Sequence, residues 1–257
     1  MKKRVPAAAE PGDGVQIIAA SPGIQRLSAI RGPVIILDSS FNPPTNAHVA
    51  LLQAAARRVQ STDPEGPPPL VLLSLSLANA DKGAIGAADV AQRRAWLSAL
   101  VGHLSATGLV VAVLLGGAGL FVQKRQRLHD LLPGADHFIF LMGDDTLQRF
   151  LNPAYYHAIV PQLADFFADA EIYAAPRIEG GHLREALDRW GGPLLRQVLA
   201  DRVHILSLPE SCREISSTMV RSLWRAQGAA AVPDAHGKLL QELVPSCIRP
   251  PAASDNL

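Results

Sequence analysis

The pattern of apolar positions alternates between short runs of strand length and longer stretches of helical period. Val34-Ile35-Ile36-Leu37 is a β-branched run bounded by turn residues, which predicts a buried strand. It gives way to Asp38-Ser39-Ser40-Phe41-Asn42-Pro43-Pro44-Thr45-Asn46, where proline removes backbone donors and holds the residue before it extended. Beyond that turn Val49, Leu52, Ala55 and Ala56 share one face of a helix that Thr45 or Asn46 can cap. Leu70 to Leu77 predicts a second strand after a proline-rich loop. A helix over about Ala88 to Leu104 and a third strand over Leu109 to Leu115 follow. The basic stretch Gln123-Lys124-Arg125-Gln126-Arg127 runs into a helix through Leu128 to Leu132. A fourth strand, His137 to Leu141, ends in Met142-Gly143-Asp144-Asp145 ahead of Thr146 to Phe150. Glu171 to Ala174 and Val203 to Leu206 are further strands, and Met219 to Gln227 and Gly237 to Leu243 are helices.

Val15 to Ile30 is read as a small helix ahead of the first strand. Residues 1–14 are expected to be a flexible lead-in, 15–248 one domain and 249–257 a loose tail. The alternation of strand and helix predicts an α/β fold, a single doubly wound parallel sheet that binds ligands at the C-terminal ends of its strands.

Composition narrows this modestly. A chain of 257 residues, 48% apolar and 18% charged, has the make-up of a folded globular protein. A formal net charge of +1 gives no reason to expect nucleic acid or an anionic membrane as partner. Cys212 and Cys247 lack zinc-site spacing and are expected to be free thiols of an intracellular protein, cytoplasmic or nuclear. The basic start is interrupted by Glu10 and Asp13 before an apolar stretch develops, and the uncharged run Gly108 to Val122 is too short to span a bilayer. No targeting or membrane segment is therefore expected.

Two segments carry candidate chemistry. A strand, a tight turn and a helix N-terminus present free N–H groups and a positive dipole end to an anion, and His48 in the first turn adds a polar group near the same point. In Ile215-Ser216-Ser217-Thr218-Met219-Val220-Arg221, a hydroxyl caps a second helix and Arg221 lies one turn in, placed to bridge two phosphate oxygens. A plain capped helix with a surface arginine fits the second segment equally well. Gly116-Gly117-Ala118-Gly119 lacks dinucleotide spacing, no P-loop occurs, and no His, Cys or Asp cluster has metal-ligand spacing.

Taken together, Ser40 to His48 and Ile215 to Arg221 resemble the paired signatures of the nicotinamide and nicotinate mononucleotide adenylyltransferases of the nucleotidyltransferase superfamily. The Thr-x-x-His form is the one typical of the nicotinamide mononucleotide adenylyltransferases, and the stretches at 119–124 and 143–156 are similar to a divergent, fungal-type branch. The resemblance implies a Rossmann-like fold and adenylyl transfer from ATP to nicotinamide mononucleotide, giving NAD and pyrophosphate. Nicotinate mononucleotide or a phosphopantetheine-like phosphate are alternative acceptors, and a nucleotide-binding or ATP-hydrolysing regulatory protein is the alternative class.

By the same resemblance His48, Lys82 and Arg221 carry catalysis, and Ser39, Ser40, Phe41 and Thr45 line the ATP site with them. Gly143 and Asp145 would sit near the nucleotide, and Ser216, Ser217 and Thr218 near the outer phosphates. Phe41, Arg93 or Arg94, and Phe121 are the acceptor-side candidates. Magnesium is implied, held through substrate phosphates. Three departures stand out. Ser39 replaces the glycine that usually precedes Ser-Phe, Lys82 stands where two lysines are usual, and Leu114-Leu115-Gly116-Gly117 replaces the Trp-Glu segment that stacks on the pyridine.

Overall fold

The computed structural model describes residues 16–22, 24, 27–79, 83–84, 86–116, 119–175, 193–199 and 201–227. Its strands are β1 (Gln16–Ala20), β2 (Gly32–Asp38), β3 (Leu70–Ser76), β4 (Ala78–Asn79), β5 (Gly83–Ala84), β6 (Val110–Gly116), β7 (Ala135–Gly143), β8 (Ala170–Ala175) and β9 (Val203–Ile205). The helices used below are α1 (Asn46–Thr62), α2 (Ala87–Ala106), α3 (Phe121–Leu131), α4 (Asp144–Phe150) and α5 (Ile159–Phe166), together with the later helix Ser217–Gln227. Seven strands form one sheet in the order β1-β6-β3-β2-β7-β8-β9, while β4 and β5 make a small antiparallel ribbon.

From β2 outward the pairings are parallel, and the chain winds first through β3 to β6 and then returns to the other side of β2 for β7 to β9. The winding therefore reverses between β2 and β7, and the crevice outside the strand C-termini at that reversal is where open α/β sheets bind ligands. The two-residue period of the strands sorts the core into two layers. Ile35, Leu37, Val71, Leu73, Val111 and Val113 meet Leu52 and Ala55 of α1 and Leu97 and Leu100 of α2. Val34, Ile36, Leu72, Leu114, Phe138 and Phe140 meet Leu128 of α3, Phe150 and Phe166 on the opposite face. Strands covered on both faces read as unbroken apolar runs, which is why their limits were visible in the sequence.

The helix expected over Val15 to Ile30 is instead the strand β1 followed by a 3-10 turn at Leu27–Ala29. Its partner lies far along the chain: β1 pairs antiparallel with β6, and Ser21 accepts from Val111 N–H through Oγ at 2.8 Å while donating its own N–H to Val111 O at 2.7 Å. A run such as Gln16-Ile17-Ile18-Ala19-Ala20 is too short to choose between helix and strand locally; the open edge of β6 decides. The sheet thus carries one antiparallel edge. The lead-in, the tail and the helix expected at Gly237 to Leu243 lie outside the described residues.

Candidate active site

The loop between β2 and α1 adopts a specific backbone state. Phe41 has φ of 45°, a left-handed conformation that costs an ordinary side chain about 1 kcal/mol. Complete burial of its ring offsets this, and the ring lies against His48 with centroids 5.3 Å apart. The Asn42–Pro43 bond is cis. Thr45, fully buried and extended, is the N-cap of α1.

His48 is the third residue of α1 and takes the place of the glutamate in an N-terminal capping box. The Thr45 N–H donates to its Nδ1 at 3.0 Å, and Thr45 Oγ1 lies 2.8 Å from the same nitrogen. A ring that accepts at Nδ1 carries its proton on Nε2, and this Nε2–H points to Ser39 Oγ, 3.2 Å away. Burial pushes His48 down to about 4, so the imidazole is neutral near pH 7. It is a fixed neutral donor.

The second segment closes on this loop. Ser216 Oγ accepts the Met219 N–H at 3.1 Å and caps the Ser217–Gln227 helix. Ser217 Oγ donates to Pro43 O at 2.8 Å, Arg221 Nη1 donates to Asn42 O at 2.5 Å, and Arg221 Nη2 lies 3.3 Å from Thr218 Oγ1. Arg93 reaches in from α2, buried, and donates from Nη1 to Ser40 O at 3.2 Å, whereas Arg94 is exposed. Three carbonyls of the loop, at Ser40, Asn42 and Pro43, are therefore pinned by side chains from two other helices. The N-termini of α1 and the Ser217–Gln227 helix, 174 positions apart by the Ser217 contact, meet at one place.

Other expected residues are distributed more widely. Gly143 is the N-cap of α4, with open space where a side chain would stand. Asp145 is exposed, and its carbonyl accepts from Arg149 Nε at 3.1 Å. Phe41 keeps its ring inside the core, so it serves the loop by shape and not as an exposed platform. Phe121, half-buried at the start of α3, packs edge-on against Phe140 and Phe150, and Lys124 Nζ lies 4.8 Å from its ring centre. Lys82 lies outside the described residues.

Sequence reasoning missed a polar group on the opposite face of β2. Asp38 Oδ1 pairs with Lys124 Nζ at 2.8 Å, and Oδ2 accepts from Ser74 Oγ at 2.7 Å and Ser76 Oγ at 3.1 Å. The one available signal was a carboxylate ending an otherwise apolar strand. Among the described residues no group of three or more His, Cys, Asp or Glu is arranged to hold a metal ion. No described helix is long and apolar enough to cross a membrane.

With this geometry in place, solved structures can be compared. A Plasmodium falciparum nicotinic acid mononucleotide adenylyltransferase complexed with NaAD superposes with a TM-score of 0.55 and 11% identity, over 83% of this chain and 95% of that one. The same enzyme complexed with APC gives 0.53 and 10%, over 82% and 94%. The chain has the nucleotidyltransferase fold. Its sequence is also 31% identical over 156 residues to a Schizosaccharomyces pombe protein described as "Putative nicotinamide mononucleotide adenylyltransferase". That match spans 60% of this chain and 57% of the relative. No family model matches. The relative's description names the family that the two motifs resemble, and the fold is that of the superposed structures.

Proposed function

We propose that the protein is an adenylyltransferase that joins the AMP part of ATP to a pyridine mononucleotide and releases pyrophosphate. The observation that carries this reading is the meeting of the Thr45–His48 turn with the Ser217–Arg221 turn, each the start of a helix and each bearing groups that suit phosphate. The acceptor's phosphate oxygen forms a bond to the α-phosphorus of ATP as the bond to the bridging oxygen breaks, and pyrophosphate takes the electron pair. No protein nucleophile is required, so the chain contributes positioning and charge stabilisation.

In this scheme the Nε2–H of His48 leaves Ser39 and donates to the oxygen between the α- and β-phosphates, where negative charge grows. A neutral donor locked in one tautomer suits that task, because it needs no reorganisation when the charge appears. Ser217, Thr218 and Arg221 hold the outer phosphates. The side chains gathered at this turn are hydroxyls, an imidazole and guanidinium groups, which are poor ligands for a hard divalent cation, and Asp38 is already committed to Lys124 and two serines. Magnesium fits as a companion of the triphosphate, whose charge it neutralises.

Mass spectrometry of the product formed from ATP, magnesium and each of nicotinamide and nicotinate mononucleotide tests the reading. A dinucleotide with one equivalent of pyrophosphate is expected. ADP or AMP without any dinucleotide would replace the transferase with a nucleotide-hydrolysing protein.

A further inference from the structure

The cleft on the α3 face of β2 carries the next step. It lies at the C-terminal ends of β2, β3 and β6, encloses about 390 Å³ with its open mouth included, and is walled by Ile36, Leu72, Leu114 and Leu128. Ser74, Ser76, Gly116, Lys124 and Arg127 complete the lining. An apolar slot with a few converging polar groups is the usual form of a small-molecule site. Its charges do not balance. Lys124 is matched by Asp38, whose other oxygen is taken up by the two serines. Arg127 has no such match among the described residues: its Nη1 is buried, with no hydrogen-bond partner among them. A buried donor left unpaired in a folded protein calls for a ligand or a water to complete it, and a guanidinium completes best with an anion.

The cleft and the His48 turn flank the same strand end. Asp38 sends its side chain toward α3, and the next residue, Ser39, sends its hydroxyl to His48 on the α1 side. A molecule whose phosphate sits at the His48 turn can therefore place its other end in this cleft. We propose that Arg127, with Lys124 beside it, selects an acceptor bearing a carboxylate on its ring, so that the acid form of the pyridine mononucleotide is preferred to the amide. This rests on the reading under Proposed function for the placement of the acceptor phosphate. The acid and the amide share that phosphate and differ only at the group the cleft would receive, so their ratio isolates Arg127. A neutral amide can accept a hydrogen bond from Arg127 but leaves its charge uncompensated.

The test is calorimetric binding of nicotinate and nicotinamide mononucleotide to the full chain, followed by steady-state turnover of both with ATP and magnesium. The acid should bind at least about tenfold more tightly, since rejection follows from a buried polar group left poorly paired. Arg127→Met should bring the two dissociation constants to within about twofold of each other, and Arg127→Lys should keep the preference for the acid. Arg127→Gln serves in place of the methionine variant if that one does not fold, with the same expectation. Equal or inverted affinities in the wild type, failure of both mononucleotides to bind, or an unchanged ratio in the neutral variants would overturn the assignment. Selective binding of the acid without dinucleotide formation would leave this assignment standing and remove the transferase reading instead.

Discussion

The two sides of the β2 terminus are built on opposite principles. On the α1 side the loop is closed upon itself: its carbonyls are pinned by Arg93, Ser217 and Arg221, and His48 is fixed at both ring nitrogens. On the α3 side a guanidinium nitrogen is buried with no partner among the described residues, while the carboxylate in the same cleft is fully occupied. The first arrangement is preorganised, its hydrogen bonds made before any ligand arrives. The second is incomplete until something enters. The contrast teaches that a rigid phosphate turn can serve many acceptors, while choice among them needs a site left unsatisfied.

The contrast can be broken most sharply at His48. His48→Ala is expected to lower turnover at least about a hundredfold in a pyrophosphate-release assay, the loss typical of one well-placed donor. A correctly folded variant with near-normal turnover would mean that the preorganised side does no chemistry. Arg221→Ala comes next. It removes a charged donor to Asn42 O together with a group placed for the outer phosphates, and it should raise the KM for ATP about tenfold with a smaller change in kcat. An unaltered KM would leave Arg221 a purely structural clasp.

A third expectation concerns acid. The folded protein holds His48 at about 4, whereas the unfolded chain takes up this proton near 6.5. Between those values the unfolded state binds more protons, so this residue's share of stability is fully present above about 6.5 and declines as pH falls toward 4. Urea midpoints measured from pH 7.5 to 4.5 should fall less in His48→Asn than in the wild type; parallel curves would show that the ring is not held neutral. The smallest effect is expected at Ser39. Ser39→Gly frees Nε2–H of its resting partner and should change turnover by no more than about fivefold, because an exchangeable neutral hydrogen bond contributes only about 1 kcal/mol. A loss of tenfold or more would promote Ser39 from a resting partner to a group in contact with the reaction.

The preorganised side was legible because its information is local. Proline placement, an N-cap and a histidine three positions on lie within one short segment, and the second turn repeats the same grammar around Ser216 and Arg221. The strands β3, β6 and β7 came within two residues of their expected limits because both faces are buried. The selecting side was not legible. Lys124 and Arg127 belong to a stretch that reads only as a basic helix, and their meaning arises from Asp38, Ser74 and Ser76, which lie 48 to 89 positions earlier. The same limit explains β1, which is a strand because of residues near Val111 and not because of its own composition. Arg93 and Arg94 are adjacent and chemically identical in sequence; the phase of α2 against the sheet buries the first and exposes the second.

The placement of Asp38 and Ser39 on opposite faces has a consequence for how this chain can change over time. A substitution at Asp38 acts on the α3 side and one at Ser39 on the α1 side. Deleting or inserting one residue within Val34 to Asp38 is different: it inverts the pleat, sends Leu37 and Ile36 to each other's layer, and exchanges what the two pockets receive. The parity of five residues is therefore a stricter constraint on this protein than the identity of most of them.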